Sequence, residues 1–340
     1  MTRSSIILPM TRSRRIFIAT ALGCALAVML AAVLVLLLAW WMERLEAPPA
    51  HPEQAAVPRI EETLRAGLRP PPPSPQLLQR ARGLMGEVSE HSCGPYLLLT
   101  DVEDPQLVRS CKSLASSLDR VYEERYGLDL DGAWAPEGAL VIFARRGAFR
   151  ELARQEGGPR VGYAGYSSGS QSVVVLTAEG AQQAELLRTL THELTHLVNR
   201  RTLGSGLPRW LSEGLADGVG DSAVAGGWLA LEGLAGVEGP ARRLYLAYGE
   251  AMVPSLERLL SLQRGDFDRG TVSFDYEQSA LFVRYLLHDD ALAAGFRAYL
   301  QRLAAGEEYD AEALRESLGR SWGELDRGLE AWLQRSMESG

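Results

Sequence analysis

Thr191-His192-Glu193-Leu194-Thr195-His196 places two histidines four residues apart, with a glutamate directly after the first. Four residues is just over one helical turn, so on a helix both imidazoles lie on one face and reach one metal ion. Glu193 is offset round the helix, too near His192 to share its face yet able to reach a water held on that metal. Zinc with three protein ligands and one open position is a hydrolytic centre, because the metal lowers the pKa of its water to about 7. Such a site needs a third ligand. Pro208-Arg209-Trp210-Leu211-Ser212-Glu213-Gly214-Leu215-Ala216-Asp217 offers Glu213, 17 residues after His196.

Chance accounts poorly for the first motif. With five His and 29 Glu in 340 residues, random order gives roughly 0.006 copies of H-E-x-x-H per chain. Its surroundings also fit a helix: Leu186, Leu187, Leu190, Leu194, Leu197 and Val198 recur at helical spacing, so residues 181–200 read as one amphipathic helix. A three-histidine continuation fails, since Asn199 and Thr202 stand where Gly and His would be needed. The remaining histidines, His51, His91 and His288, lie far off in sequence. Glu213 falls on a second short helix that Pro208 is suited to open. Asp217 follows one turn later on the same face, suited to accept the outer N–H of a ligating histidine.

H-E-L-T-H followed by P-R-W-L-S-E-G-L-A-D resembles the gluzincins, and within them the bacterial peptidase MA-like family, distantly similar to the zinc aminopeptidases and thermolysin. The resemblance runs from about Gly94 to about Leu287. It includes Val141-Ile142-Phe143 with Gly147-Ala148-Phe149, then Gly162-Tyr163-Ala164-Gly165-Tyr166, then the segment from Tyr276 to Leu286. It implies a zinc metallopeptidase with Zn2+ on His192, His196 and Glu213 and with Glu193 as general base. The family's oxyanion-steadying tyrosine best matches Tyr276, with Tyr163, Tyr166, Tyr245 and Tyr248 as substitutes. The implied fold is α+β: a zincin-like metalloprotease fold with a mixed sheet, an active-site helix carrying the motif and a helical C-terminal subdomain closing the cleft. Two departures stand out. The spacer from His196 to Glu213 is slightly shorter than in the aminopeptidases, and no run recognising a substrate amino terminus is present.

The amino-terminal part indicates a compartment. Ile16 to Met42 is 27 residues without a charge, and about 20 suffice to cross a bilayer. Arg3, Arg12, Arg14 and Arg15 precede it, which keeps residues 1–15 cytoplasmic and exports the chain beyond the span. A cleaved signal peptide is the competing reading, but it would have an apolar region of only 7–15 residues and a small-residue cleavage site. The expectation is a single-pass signal-anchor in a bacterial inner membrane, with the catalytic part on the periplasmic side. Residues 47–75 hold nine of the 17 prolines, a semi-rigid tether. The expected organisation is therefore a membrane span at 16–42, a Pro-rich linker at 43–88, a catalytic subdomain at 89–220 and a helical subdomain at 221–340.

Cys24 falls inside the apolar span, whereas Cys93 and Cys111 fall in the exported part, where oxidation is favoured. A bridge between those two would close a loop of about 18 residues, worth about 3 kcal/mol through chain entropy. Two free thiols are the alternative. A net charge of −8 and a pI near 5.3 argue against nucleic acid as a partner. Tyr96–Asp101, Ala139–Ala144 and Ser172–Thr177 read as strands, Gln106–Tyr126 as a helix. The strand at Ser172–Thr177, just before the motif helix, is expected to border the cleft and pair with an extended substrate; an ordinary buried strand is the alternative. The functional expectation is hydrolysis of a peptide bond in a protein or peptide. Two rivals remain, a zinc amidase acting on cell wall and a non-catalytic scaffold that keeps the site; oligomeric state is left open.

Overall fold

A computed structural model of the chain describes residues 72–128, 138–157, 164–168, 170–220, 224–225, 228–229, 255–262 and 272–338. The chain divides into two compact units, Met1–Arg59 and Ile60–Gly340, and every described residue lies in the second. The expected membrane span at 16–42 and the proline-rich stretch up to residue 71 lie outside the described residues. Among the described residues no helix is long and apolar enough to cross a membrane.

The architecture is α+β. Five strands form a mixed sheet: β1 (Ser89–Cys93), β2 (Tyr96–Thr100), β3 (Gly138–Phe143), β4 (Gly165–Ser168) and β5 (Val173–Thr177), in the order β1-β2-β3-β5-β4. β2, β3 and β5 run parallel in the middle, while β1 and β4 pair antiparallel at the two edges. Gly-Ala-Leu-Val-Ile-Phe in β3 and Val-Val-Val-Leu-Thr in β5 are buried at every position, the unbroken apolar pattern of strands covered on both faces. Alternation sorts their side chains. Leu98, Leu140, Ile142, Val174 and Leu176 join the larger core cluster. Leu99, Val141, Phe143, Val173 and Val175 join the smaller one.

The interior position of β5 corrects the cleft-strand expectation. Both of its edges are already hydrogen-bonded, to β3 and to β4, so no substrate strand can add to it. Among the described residues the edge on that side of the sheet belongs to β4.

The smaller core is closed by α1 (Pro75–Leu84) and α3 (Arg146–Gln155), through Leu77, Leu78, Ala81, Phe149, Leu152 and Ala153. α1 therefore belongs to the folded body, and the linker does not extend to residue 88. Ser74 caps α1 by accepting from the backbone N–H of Leu77, and Pro75 occupies its first turn.

The larger core lies on the other face of the sheet. α2 (Pro105–Tyr126) is capped by Asp104, which accepts from Gln106 and Leu107, and it ends at Gly127 with φ 66°. α4 (Gln183–Thr202) carries the H-E-L-T-H motif, and α5 (Arg209–Gly220) carries Glu213. The short β6 (Val224–Ala225) and β7 (Trp228–Leu229) form a separate ribbon. Then come α6 (Leu256–Ser261), α7 (Val272–His288), α8 (Asp290–Ala304), α9 (Ala311–Leu318) and α10 (Trp322–Glu338). Leu190, Leu194, Trp210, Leu215, Phe282, Leu286, Phe296 and Leu329 share one cluster, so the helical C-terminal part and the motif-bearing part have a common core.

Cys93 and Cys111 are both buried and free, which corrects the disulfide expectation. Burial pushes the Cys93 thiol up to about 11 and the Cys111 thiol up to about 12. Both behave as small apolar core groups, far from the thiolate state that disulfide exchange requires.

Candidate metal centre

Two helices and the turn between them build the centre. The face of α4 that meets the core carries Leu186, Leu187, Leu190, Leu194, Leu197 and Val198. His192, Glu193 and His196 lie beside this stripe, each half-buried. Tyr122 of α2 fixes the back of the helix, its hydroxyl lying 2.7 Å from Asn199 Oδ1 and 3.3 Å from the carbonyl of Thr195. After α4 the chain reverses through Gly204, at φ 88°, and Pro208. α5 then returns against α4, anchored by fully buried Trp210, whose indole N–H donates to Tyr309 at 3.2 Å.

This reversal brings together the ligands expected from sequence. His192 Nε2 and His196 Nε2 are 3.1 Å apart, and Glu213 Oε2 lies 3.4 Å from each. Among the described residues these three form a group able to hold a metal ion. Four ligands about 2.0–2.1 Å from a tetrahedral centre stand about 3.3 Å from one another. The three observed separations match the edges of one face of that tetrahedron.

The outer ring nitrogens are engaged. His192 Nδ1 lies 2.8 Å from Asp217 Oδ1, and His196 Nδ1 lies 3.1 Å from Ser212 Oγ. Donation through Nδ1 turns the lone pair of each neutral Nε2 inward. Two lone pairs then converge with a carboxylate oxygen of Glu213, a residue only 1 % exposed. That assembly is stable only with a positive charge among its members.

The electrostatics agree. Burial opposes charge on His192, yet the carboxylates of Asp217, Glu213 and Glu193 outweigh it and raise its pKa well above the ordinary range. Burial likewise works against ionised Glu213, but His196 and His192 hold its carboxyl well below the usual carboxylate range. A proton on His192 is thus one way to supply the positive charge, and a metal ion is another. In a chain stripped of metal by a chelator, the raised pKa stabilises the fold fully below about pH 6.5, and this is lost as pH rises through the raised value. Zinc loading at pH 7 is then expected to release a proton, and the apparent affinity should fall about tenfold per pH unit below the raised value. Calorimetric titration in buffers of different ionisation enthalpy measures this release. Uptake without proton release would show that His192 is already neutral.

Tyr276 lies in α7, four residues after its first residue, Val272. Its hydroxyl accepts from Arg209 Nη2 at 2.7 Å, and Arg209 Nη1 lies 3.0 Å from Glu213 Oε1. Tyr276 is therefore two links from the candidate ligand Glu213, through Arg209. Tyr166 is excluded as its substitute, because its ring packs in the smaller core against Phe149, across the sheet from α4. Tyr163, Tyr245 and Tyr248 lie outside the described residues. Arg209 and Ser212 carry contacts to which sequence reasoning assigned no role. The only hint was position: Arg209 stands four residues before Glu213, and Ser212 directly before it.

No known protein-family profile matches this chain, and no curated protein matches it either. Its function is therefore read from the residues and their geometry.

Proposed function

We propose that this chain is a zinc metallopeptidase of zincin-like fold, hydrolysing peptide bonds in an extracytoplasmic protein or peptide from a membrane anchor at residues 16–42. The observation that carries the reading is the convergence of His192 and His196 of α4 with Glu213 of α5, to within 3.1–3.4 Å of one another, with Glu193 on the same helix as the two histidines. Two imidazoles and one carboxylate form an open three-ligand set suited to catalytic zinc. When bound, zinc supplies a Lewis acid that polarises a carbonyl and brings the pKa of a water near 7.

The side chains have separable tasks. Asp217 and Ser212 hold the two imidazole rings through Nδ1, so that both Nε2 atoms face inward. Glu193, half-buried beside His192, accepts a proton from the attacking water and returns it to the leaving amine nitrogen as the C–N bond breaks. Tyr276 donates its hydroxyl proton toward the oxygen that becomes negative when the carbonyl is attacked.

Tyr276→Phe removes that donor and almost no volume. Turnover should fall by about a hundredfold, the scale of one lost oxyanion donor. Stability should fall by at most about 1–2 kcal/mol, since the bond lost is only part-buried. Steady-state kinetics beside thermal unfolding measures both. A Phe variant with wild-type kcat would remove Tyr276 from the chemistry and leave the metal site standing.

The proposed activity is tested by incubating the full chain with an unfolded protein, with a peptide library and with peptidoglycan, each with and without a chelator. Chelator-sensitive cleavage of protein or peptide supports the proposal. Cleavage of peptidoglycan alone would make the enzyme an amidase, and no cleavage of any of them would favour a scaffold.

A further inference from the structure

One guanidinium touches two groups of the site. Arg209 Nη1 pairs with Glu213 Oε1 at 3.0 Å, and Nη2 donates to the Tyr276 hydroxyl at 2.7 Å. Its Cζ stands 5.7 Å from the centre of the Tyr276 ring. An arginine four residues before a glutamate on a helix is common, and by itself such a pair only supports the helix. Here the carboxylate is 1 % exposed, and the same guanidinium reaches across from α5 to α7.

The atoms on each side of the contact matter. Glu213 has two oxygens, and the one paired with Arg209 is not the one facing the histidines. Oε1 is in ion-pair contact with the guanidinium without a hydrogen bond to it, while Oε2 lies 3.4 Å from both Nε2 atoms. The positive charge beside Oε1 favours presenting Oε2 to a metal. At Tyr276 the direction of the hydrogen bond is decisive. A guanidinium has donors only, whereas a phenol has one proton and two lone pairs. Arg209 therefore uses a lone pair of the Tyr276 oxygen and not its proton. Donation by a cation also polarises the O–H and makes it a stronger donor.

We infer that Arg209 is a positioning residue of the centre. It reserves Oε2 of Glu213 for the metal and aims the hydroxyl proton of Tyr276 at the reacting carbonyl oxygen. The second half of this role rests on the peptidase reading; the first needs only a metal. Lysine cannot replace it, because a single ammonium lacks the planar fork that spans two acceptors.

Arg209→Met and Arg209→Lys, prepared in the full chain, test the assignment. Both should fold, since the side chain is partly exposed, and both should hold one metal per chain. With cobalt(II) in place of zinc, the Met variant should absorb more weakly in the visible than the wild type, as Glu213 becomes free to ligate through both oxygens. On a peptide substrate both variants should lose at least about tenfold in kcat with KM changed less than about threefold. In a Tyr276→Phe background, Arg209→Met should cost much less than in the wild type, because the two residues act as a unit. An unchanged cobalt spectrum, together with equal losses in both backgrounds, would overturn the inference. If the wild type cleaves no peptide, the peptidase reading fails, while the cobalt comparison still decides whether Arg209 governs the ligand.

Discussion

Replacing Glu193 by glutamine is expected to leave zinc content at the wild-type level and to lower turnover by about 10²–10⁴-fold, the range supplied by a general base. Glutamine keeps the size and the hydrogen-bonding outline of the side chain, but its amide takes no proton from water. Glu193 is outside the converging group of His192, His196 and Glu213, so the ligand set survives the change. Elemental analysis and single-turnover kinetics on one preparation separate the two effects. A variant that loses its metal would make Glu193 a ligand, and one that keeps its turnover would end the hydrolytic mechanism as described.

Gly214→Val is expected to destabilise the fold by about 3 kcal/mol and to lower Tm by roughly 10 °C. Gly214 is the neighbour of Glu213, at the crossing of α5 and α7. A Cβ there would lie 2.6 Å from the backbone oxygen of Ser279 and 2.7 Å from Val283 Cγ2. The first obstacle is backbone, so the helices must part. Parting them would shift Glu213 relative to His192 and His196 and separate Arg209 from Tyr276. Metal affinity should weaken along with stability, which couples the packing to the site. Gly83→Ala in α1 serves as the control: a Cβ at that position would have nothing within 4 Å, and alanine favours a helix by up to about 1 kcal/mol. Thermal unfolding of both variants checks the pair. Equal Tm values for Gly214→Val and the wild type would mean that the close helix crossing is absent in solution.

Where sequence and structure agree, the signal was strong periodicity or an unbroken apolar run. The helix expected at 181–200 from the stripe Leu186 to Val198 matches α4 to within two residues at each end, and Val-Val-Val-Leu-Thr marks β5. Strand order was not legible. Nothing in an apolar run states which neighbours it has, and the short edge strands are too polar to announce themselves: β1 is Ser-Glu-His-Ser-Cys and β4 is Gly-Tyr-Ser-Ser. The helix at Pro75–Leu84 was masked by the four prolines before it, although Ser74 and Pro75 form an ordinary helix start.

The site divides in the same way. His192, His196 and Glu213 were legible because their spacing encodes one helix face and its returning partner. Asp217 was legible because it lies one turn beyond Glu213. The bridge from Arg209 to Tyr276 was not, because it spans two helices whose contact depends on Gly214 lying against Ser279. Side-chain pairing across such a crossing leaves no periodic trace. Oxidation of Cys93 and Cys111 was inferred from compartment alone, and compartment says nothing of how deeply a thiol is buried.

The most direct test is the metal content of the purified full chain beside its Glu213→Ala variant, measured by elemental analysis after dialysis against buffer that contains no chelator. One zinc per wild-type chain is expected, with most of it lost in the variant, because the two imidazoles alone leave the tetrahedral set a ligand short. A wild-type chain that binds no metal, or a variant that retains as much zinc as the wild type, would contradict the metal centre described above.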